Sequence, residues 1–110
     1  MNLVLLCAAL SGAMAVAAGA FGAHGAEGDN AEWLKTGAQY QLAHALAALL
    51  ALQLEARGPA WMFIIGGFLF AVTLYLMAMG APRWFGAITP IGGVLMIGGW
   101  LWLAWHALRG

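Results

Sequence analysis

The chain has 110 residues, of which 65% are hydrophobic and only 7% charged, and its formal net charge is zero. A soluble domain carries roughly a quarter of its residues as Asp, Glu, Lys and Arg, so this composition excludes an ordinary water-soluble fold and makes the lipid bilayer the expected solvent. Four Lys and Arg in all form no patch for a phosphate backbone, which excludes a nucleic-acid partner.

The charged residues cut the chain into four uncharged runs, 1–26, 36–54, 58–82 and 84–108. Each is long enough to cross a hydrocarbon core about 30 Å thick at about 1.5 Å per residue. Backbone groups in lipid must be paired internally, which leaves helices or a closed barrel. Four runs are too few for a barrel, and consecutive apolar positions such as Leu46 to Leu52 lack strand alternation. The expected fold is all-α, a single polytopic transmembrane four-helix bundle running up-down-up-down, with spans at 3–21, 37–54, 60–80 and 88–108.

The first run has only Met1 and Asn2 ahead of its apolar stretch, so it reads as a retained helix and not as a cleaved signal, which needs a basic start. Its lone Cys7 has no second cysteine for a disulfide or a metal pair. Ser11, Ala15 and Gly19, followed by Ala23, recur every four residues, the spacing of a small-residue packing stripe. His24 stands at the end of this run. The connection 22–36 is the longest, with Asp29 placed to cap the second helix and Glu32 three residues on to complete a capping box. That helix is expected to start in the headgroup region, with Gly37 admitting a bend into the bilayer. Tyr40, Gln41 and His44 then fall on one face.

Trp61 opens the third run, and Pro82, Arg83 and Trp84 form the turn after it. The fourth run begins with Thr89 and Pro90, and places Gly92, Gly99 and His106 seven apart on one face for helix packing. Its Trp100, Trp102 and Trp105 read as an interfacial aromatic belt. Four alternating spans would bring His24, Tyr40, Gln41, His44, Arg83 and Thr89 together as one polar cluster at the membrane face away from the termini.

A histidine at membrane depth needs a partner. His44 has three readings: a structural hydrogen bond fixing helix register, a proton or solute site titrating near neutrality, or a metal or haem ligand. The last lacks a second strong ligand, so neither metal nor cofactor is expected. Arg83 reads as an interfacial cation paired with Glu27, Asp29 or Glu32, or as a substrate anchor. No nucleophile triad, carboxylate dyad, HExxH or phosphate loop can be assembled, and an enzyme is not expected.

The segments 19–25 (GAFGAHG), Thr36-Gly37 with Gln39, Tyr40, Gln41 and His44, and Arg83-Trp84 leading into 89–93 (TPIGG) together resemble the YgdD/YwdK-like proteins. This domain-of-unknown-function family has mitochondrial relatives and consists of small four-helix inner-membrane proteins. The resemblance covers nearly the whole chain. It implies an inner-membrane location and puts His24, Tyr40, Gln41, His44, Thr89 and Pro90 at motif positions. The carboxyl end, with only Arg109, is less basic than the resemblance implies.

Two function classes follow. One is a non-enzymatic packing or accessory subunit, joining a larger membrane complex or a homo-oligomer through Gly- and Ala-rich faces. The other is a small oligomeric transporter or channel built on the polar cluster. Lys and Arg are tied between the two sides. The cations opposite the termini have acidic neighbours and the amino terminus adds a charge, so the termini are expected in the cytoplasm.

Overall fold

A computed structural model describes all 110 residues. Four helices account for most of them: α1 (Leu3–His24), α2 (Gly28–Gln53), α3 (Arg57–Ala78) and α4 (Thr89–Arg109), with a short 3-10 turn at Arg83–Ala87. The bundle measures 47 × 26 × 20 Å, close along its long axis to a bilayer with its headgroups, about 40–45 Å. α1, α3 and the segment leading through α4 are each long and apolar enough to cross a membrane. α2 has the length, but Glu32, Lys35, Gln39, Gln41, His44 and Gln53 dilute its apolar character.

The helices pack in chain order, α1 on α2, α2 on α3 and α3 on α4, with a slight α1–α3 contact and no substantial one between α1 and α4. The core is small-residue packing. Val4, Ala8, Ala47, Ala48, Ala51, Ala56, Ala60, Phe63 and Ile64 fill the end nearest the termini, and Leu34, Ala71 and Tyr75 fill the other. Outward positions such as Leu5, Leu10, Val16, Leu46, Val94, Ile97 and Leu101 are large and exposed, as suits a surface solvated by lipid.

The turns differ in part from expectation. As expected, α2 starts within the stretch 22–36, at Gly28, but α1 runs on to His24, leaving three residues between them. The charges there do not break helix, because they lie on its first exposed turns. Gly28 makes the entry at φ 60, a left-handed conformation open to glycine. The capping box does not form. Glu27 occupies the cap position without a side-chain bond, and Asp29 lies inside the first turn. α2 continues unbroken through Gly37. That glycine serves close approach, since a Cβ there would come within 2.7 Å of the Tyr75 ring.

α2 and α3 end alike. Ala56 N–H donates to the Ala51 carbonyl at 2.8 Å and Glu55 N–H to Leu52 at 3.1 Å; after α3, Ala81 donates to Leu76 at 2.9 Å and Gly80 to Met77 at 3.1 Å. This is the paired 6→1 and 5→2 bonding that closes a helix through a left-handed residue. Gly80 takes φ 107 without a side-chain penalty, whereas Glu55 holds φ 59. Glu55→Gly should therefore raise stability by about 1 kcal/mol, read from thermal unfolding in detergent. A fall in the midpoint would show instead that the Glu55 side chain holds the turn.

The packing glycines divide by tightness. Ser11 and Ala15 are buried against the bundle, and a Cβ on Gly19 would make ordinary contact with Ala38 at 3.4 Å. Gly22 is tighter, 3.0 Å from Leu34, while Ala23 is exposed. Closest of all is the α3–α4 seam. A Cβ on Gly92 would meet the Gly66 carbonyl at 2.7 Å and the Phe70 backbone, and one on Gly99 would meet the Phe63 ring at 2.8 Å.

Candidate functional site

The polar side chains expected in one cluster are distributed over separate contacts. His44 is buried on α2. Its Nδ1 lies 2.8 Å from the Tyr40 carbonyl, and Trp100 Nε1–H donates to its Nε2 at 3.0 Å. An indole nitrogen can only donate, so Nε2 carries the lone pair and Nδ1 carries the hydrogen, donated to Tyr40. Both nitrogens of a neutral ring are thereby engaged. Phe63 stands edge-on to this imidazole at 5.7 Å and tilts against Trp100 at 4.7 Å. Gly67 makes the room, since a Cβ there would sit 3.3 Å from that of His44.

Gly67 is near the middle of α3, so His44 lies at mid-height and not near the face away from the termini. The shift follows from α2 continuing unbroken from Gly28 through Gly37, so that its first turns belong to the bundle. Trp100, read as part of an interfacial belt, is correspondingly mid-helix on α4 and binds the histidine. Of the other belt members, Trp102 packs over Gly58, and Trp105 lies 4.5 Å from the Arg109 guanidinium.

Gln41, almost fully buried, links three helices. Tyr75 Oη of α3 donates to its Oε1 at 2.7 Å, and its Nε2 donates to the Met14 sulfur of α1 at 3.3 Å. Thr89 at the start of α4 meets Thr73 of α3 at 2.6 Å, and Thr73 Oγ1 also lies 3.0 Å from the Phe70 carbonyl. Each hydroxyl has one hydrogen, so one of the two threonines donates to the other while its partner donates to a carbonyl of the preceding turn, Phe70 for Thr73 or Phe85 for Thr89.

Arg83 is on the surface, 3.4 Å from Asp29 and 5.3 Å from the Trp33 ring centre. Both charged side chains are about three-quarters exposed, and such a pair contributes little to stability. His24 is exposed at the end of α1, apart from the rest. His106 Nε2 lies 3.2 Å from the Leu54 carbonyl and closes the end of α2 from α4. No three His, Cys, Asp or Glu side chains converge.

Tyr75, Thr73 and Trp100 are the partners sequence reasoning missed. A phenol or hydroxyl inside an apolar run is itself the signal, because such a group needs a partner when buried. Beside His44 a cleft of about 290 Å³ opens between α2, α3 and α4, lined in part by Tyr40, Phe70, Gly93, Ile97 and Trp100.

A family model described as "Protein of unknown function (DUF423)" matches residues 18–93. The chain belongs to this family. Its relatives include the UPF0382 membrane protein SSP2132 of Staphylococcus saprophyticus, 40% identical over 94% of each chain. The UPF0382 membrane protein SH2409 of Staphylococcus haemolyticus is 37% identical, covering 94% of this chain and 93% of the relative. The UPF0382 inner membrane protein YgdD of Escherichia coli K12 is 37% identical, covering 96% of this chain and 89% of its own. No solved structure matches. The DUF423 match includes Gln41, His44, Thr73, Tyr75 and Thr89 but stops before Trp100.

Proposed function

We propose that this DUF423 protein is a non-catalytic packing or accessory subunit of the inner membrane, joining other membrane helices in a larger complex or a homo-oligomer. The observation that carries this reading is the use of the buried polar side chains. Gln41, His44, Tyr75, Thr73 and Thr89 are each bonded between helices of this chain, so they hold the bundle together and do not line a common path. Ala9, Ala13, Ala17 and Ala20 remain exposed on α1, small residues that permit close approach of a further helix. Copurification at native abundance tests the reading. A stoichiometric larger complex or a dry-packed homo-oligomer supports it. A homo-oligomer with a water-filled seam beside His44 favours the small transporter or channel.

In this reading α2 is the fourth span. The polar atoms of Gln41 and His44 are covered inside the bundle, which lowers the cost of placing them in hydrocarbon. Four spans place both termini on one side, with the turns before α2 and before α4 opposite, and we take the side of the termini as the cytoplasm because the cations opposite have acidic neighbours. Reporter fusions near Gly28 and at Gly110 should label opposite sides, the latter cytoplasmic. Equal labelling would remove one span, and reversed labelling would invert the orientation.

A further inference from the structure

The cleft between α2, α3 and α4 has a chemistry that the packing role does not use. Tyr40 and Trp100 flank it, each about half exposed on the outer surface. The Tyr40 ring tilts against Phe70 at 4.8 Å, a residue near the middle of α3. The opening therefore faces the hydrocarbon layer, and whatever enters must arrive from lipid. Gly93 forms part of the wall, and a Cβ added there would meet nothing within 4 Å. The space beside it is kept free by the absence of a side chain.

One polar side-chain group at the cleft is left free. Both nitrogens of His44 are engaged with Tyr40 and Trp100, and the indole hydrogen of Trp100 is already donated. The Tyr40 hydroxyl has no partner in the chain and, away from water, is an available donor. Its ring, with Phe70 and Trp100, offers aromatic surface to a flat ligand. About 290 Å³ lies just below the usual ligand-site volumes of roughly 300–1,000 Å³, which suits one substituted ring and not a whole lipid.

We propose that this cleft binds the ring of a lipid-soluble quinone, with a quinone carbonyl accepting the Tyr40 hydroxyl hydrogen. The inference goes beyond the packing role and is independent of any partner subunit. It concerns binding alone.

A decyl-substituted benzoquinone, titrated into the purified protein in nanodiscs, tests it through quenching of tryptophan fluorescence, with empty nanodiscs correcting for partition. Saturable binding is expected. Tyr40→Phe removes the donor without breaking an internal bond and should weaken binding roughly fivefold to tenfold, the worth of one hydrogen bond. Gly93→Leu should fill the cleft and abolish saturable binding while the thermal midpoint is kept. Non-saturable quenching, or equal affinity in the wild type and Tyr40→Phe, overturns the proposal. Full binding by a folded Gly93→Leu protein overturns it as well.

Discussion

Gly92→Ala, the addition of one methyl group, is expected to cost about 3 kcal/mol, at the upper end of typical overpacking penalties. The new carbon would stand 2.7 Å from the Gly66 carbonyl and against the Phe70 backbone. Those atoms belong to a helix and cannot rotate away as a side chain would. α4 would have to move off α3, and with it Trp100 from His44 and Thr89 from Thr73. Gly93→Ala, one residue on, is the control. Its methyl meets open space, so replacing glycine within a helix should be neutral or stabilising by up to about 1 kcal/mol. Unfolding in detergent with increasing denaturing surfactant reads both. Equal responses at the two positions would mean that α3 and α4 are not in backbone contact there.

Gln41→Leu should cost about 2 kcal/mol, because it leaves the Tyr75 hydroxyl without an acceptor in a place water does not reach. The side chain is almost fully buried, and its amide joins α1, α2 and α3 through Met14 and Tyr75. Tyr75→Phe alone strands the amide oxygen and should be costly for the same reason. Combining the two removes donor and acceptor together, so the double variant should be less destabilised than the sum of the singles, by about 1 kcal/mol. Strict additivity would show that the 2.7 Å contact contributes nothing to the fold.

The four helices were legible because lipid imposes two simple demands, apolar length and internal backbone pairing, and both are visible in uncharged runs. The starts and ends were less so. The charges in 27–35 marked the start of α2, but the capping box and the bend at Gly37 did not form, because Glu27 takes the cap position and α2 continues unbroken past Gly37. The partners of the polar residues were the least legible. Tyr40, Gln41 and His44 share a sequence neighbourhood, yet the 100° turn between Tyr40 and Gln41 directs Gln41 toward α1 and α3. His44 is directed toward α4. Arg83 and His24 sit at helix ends, whereas His44 is half a bilayer away. Trp100 belongs to a Trp-rich end by composition, but only the register of α4 on α3, set by Gly66 against Gly92, reveals that it reaches the imidazole.

Packing in chain order bears on how the chain is made. Each helix finds its main neighbour in the one synthesised just before or just after it, so α1 and α2 can pair as a hairpin before α3 emerges, and topologies dominated by near neighbours assemble fast. α4 arrives last, and it alone carries the Trp100 donor for His44 and the His106 donor for the Leu54 carbonyl. Until it docks, a nascent chain holds an unpaired imidazole acceptor at the depth of the hydrocarbon core. A chain truncated before α4 retains that defect.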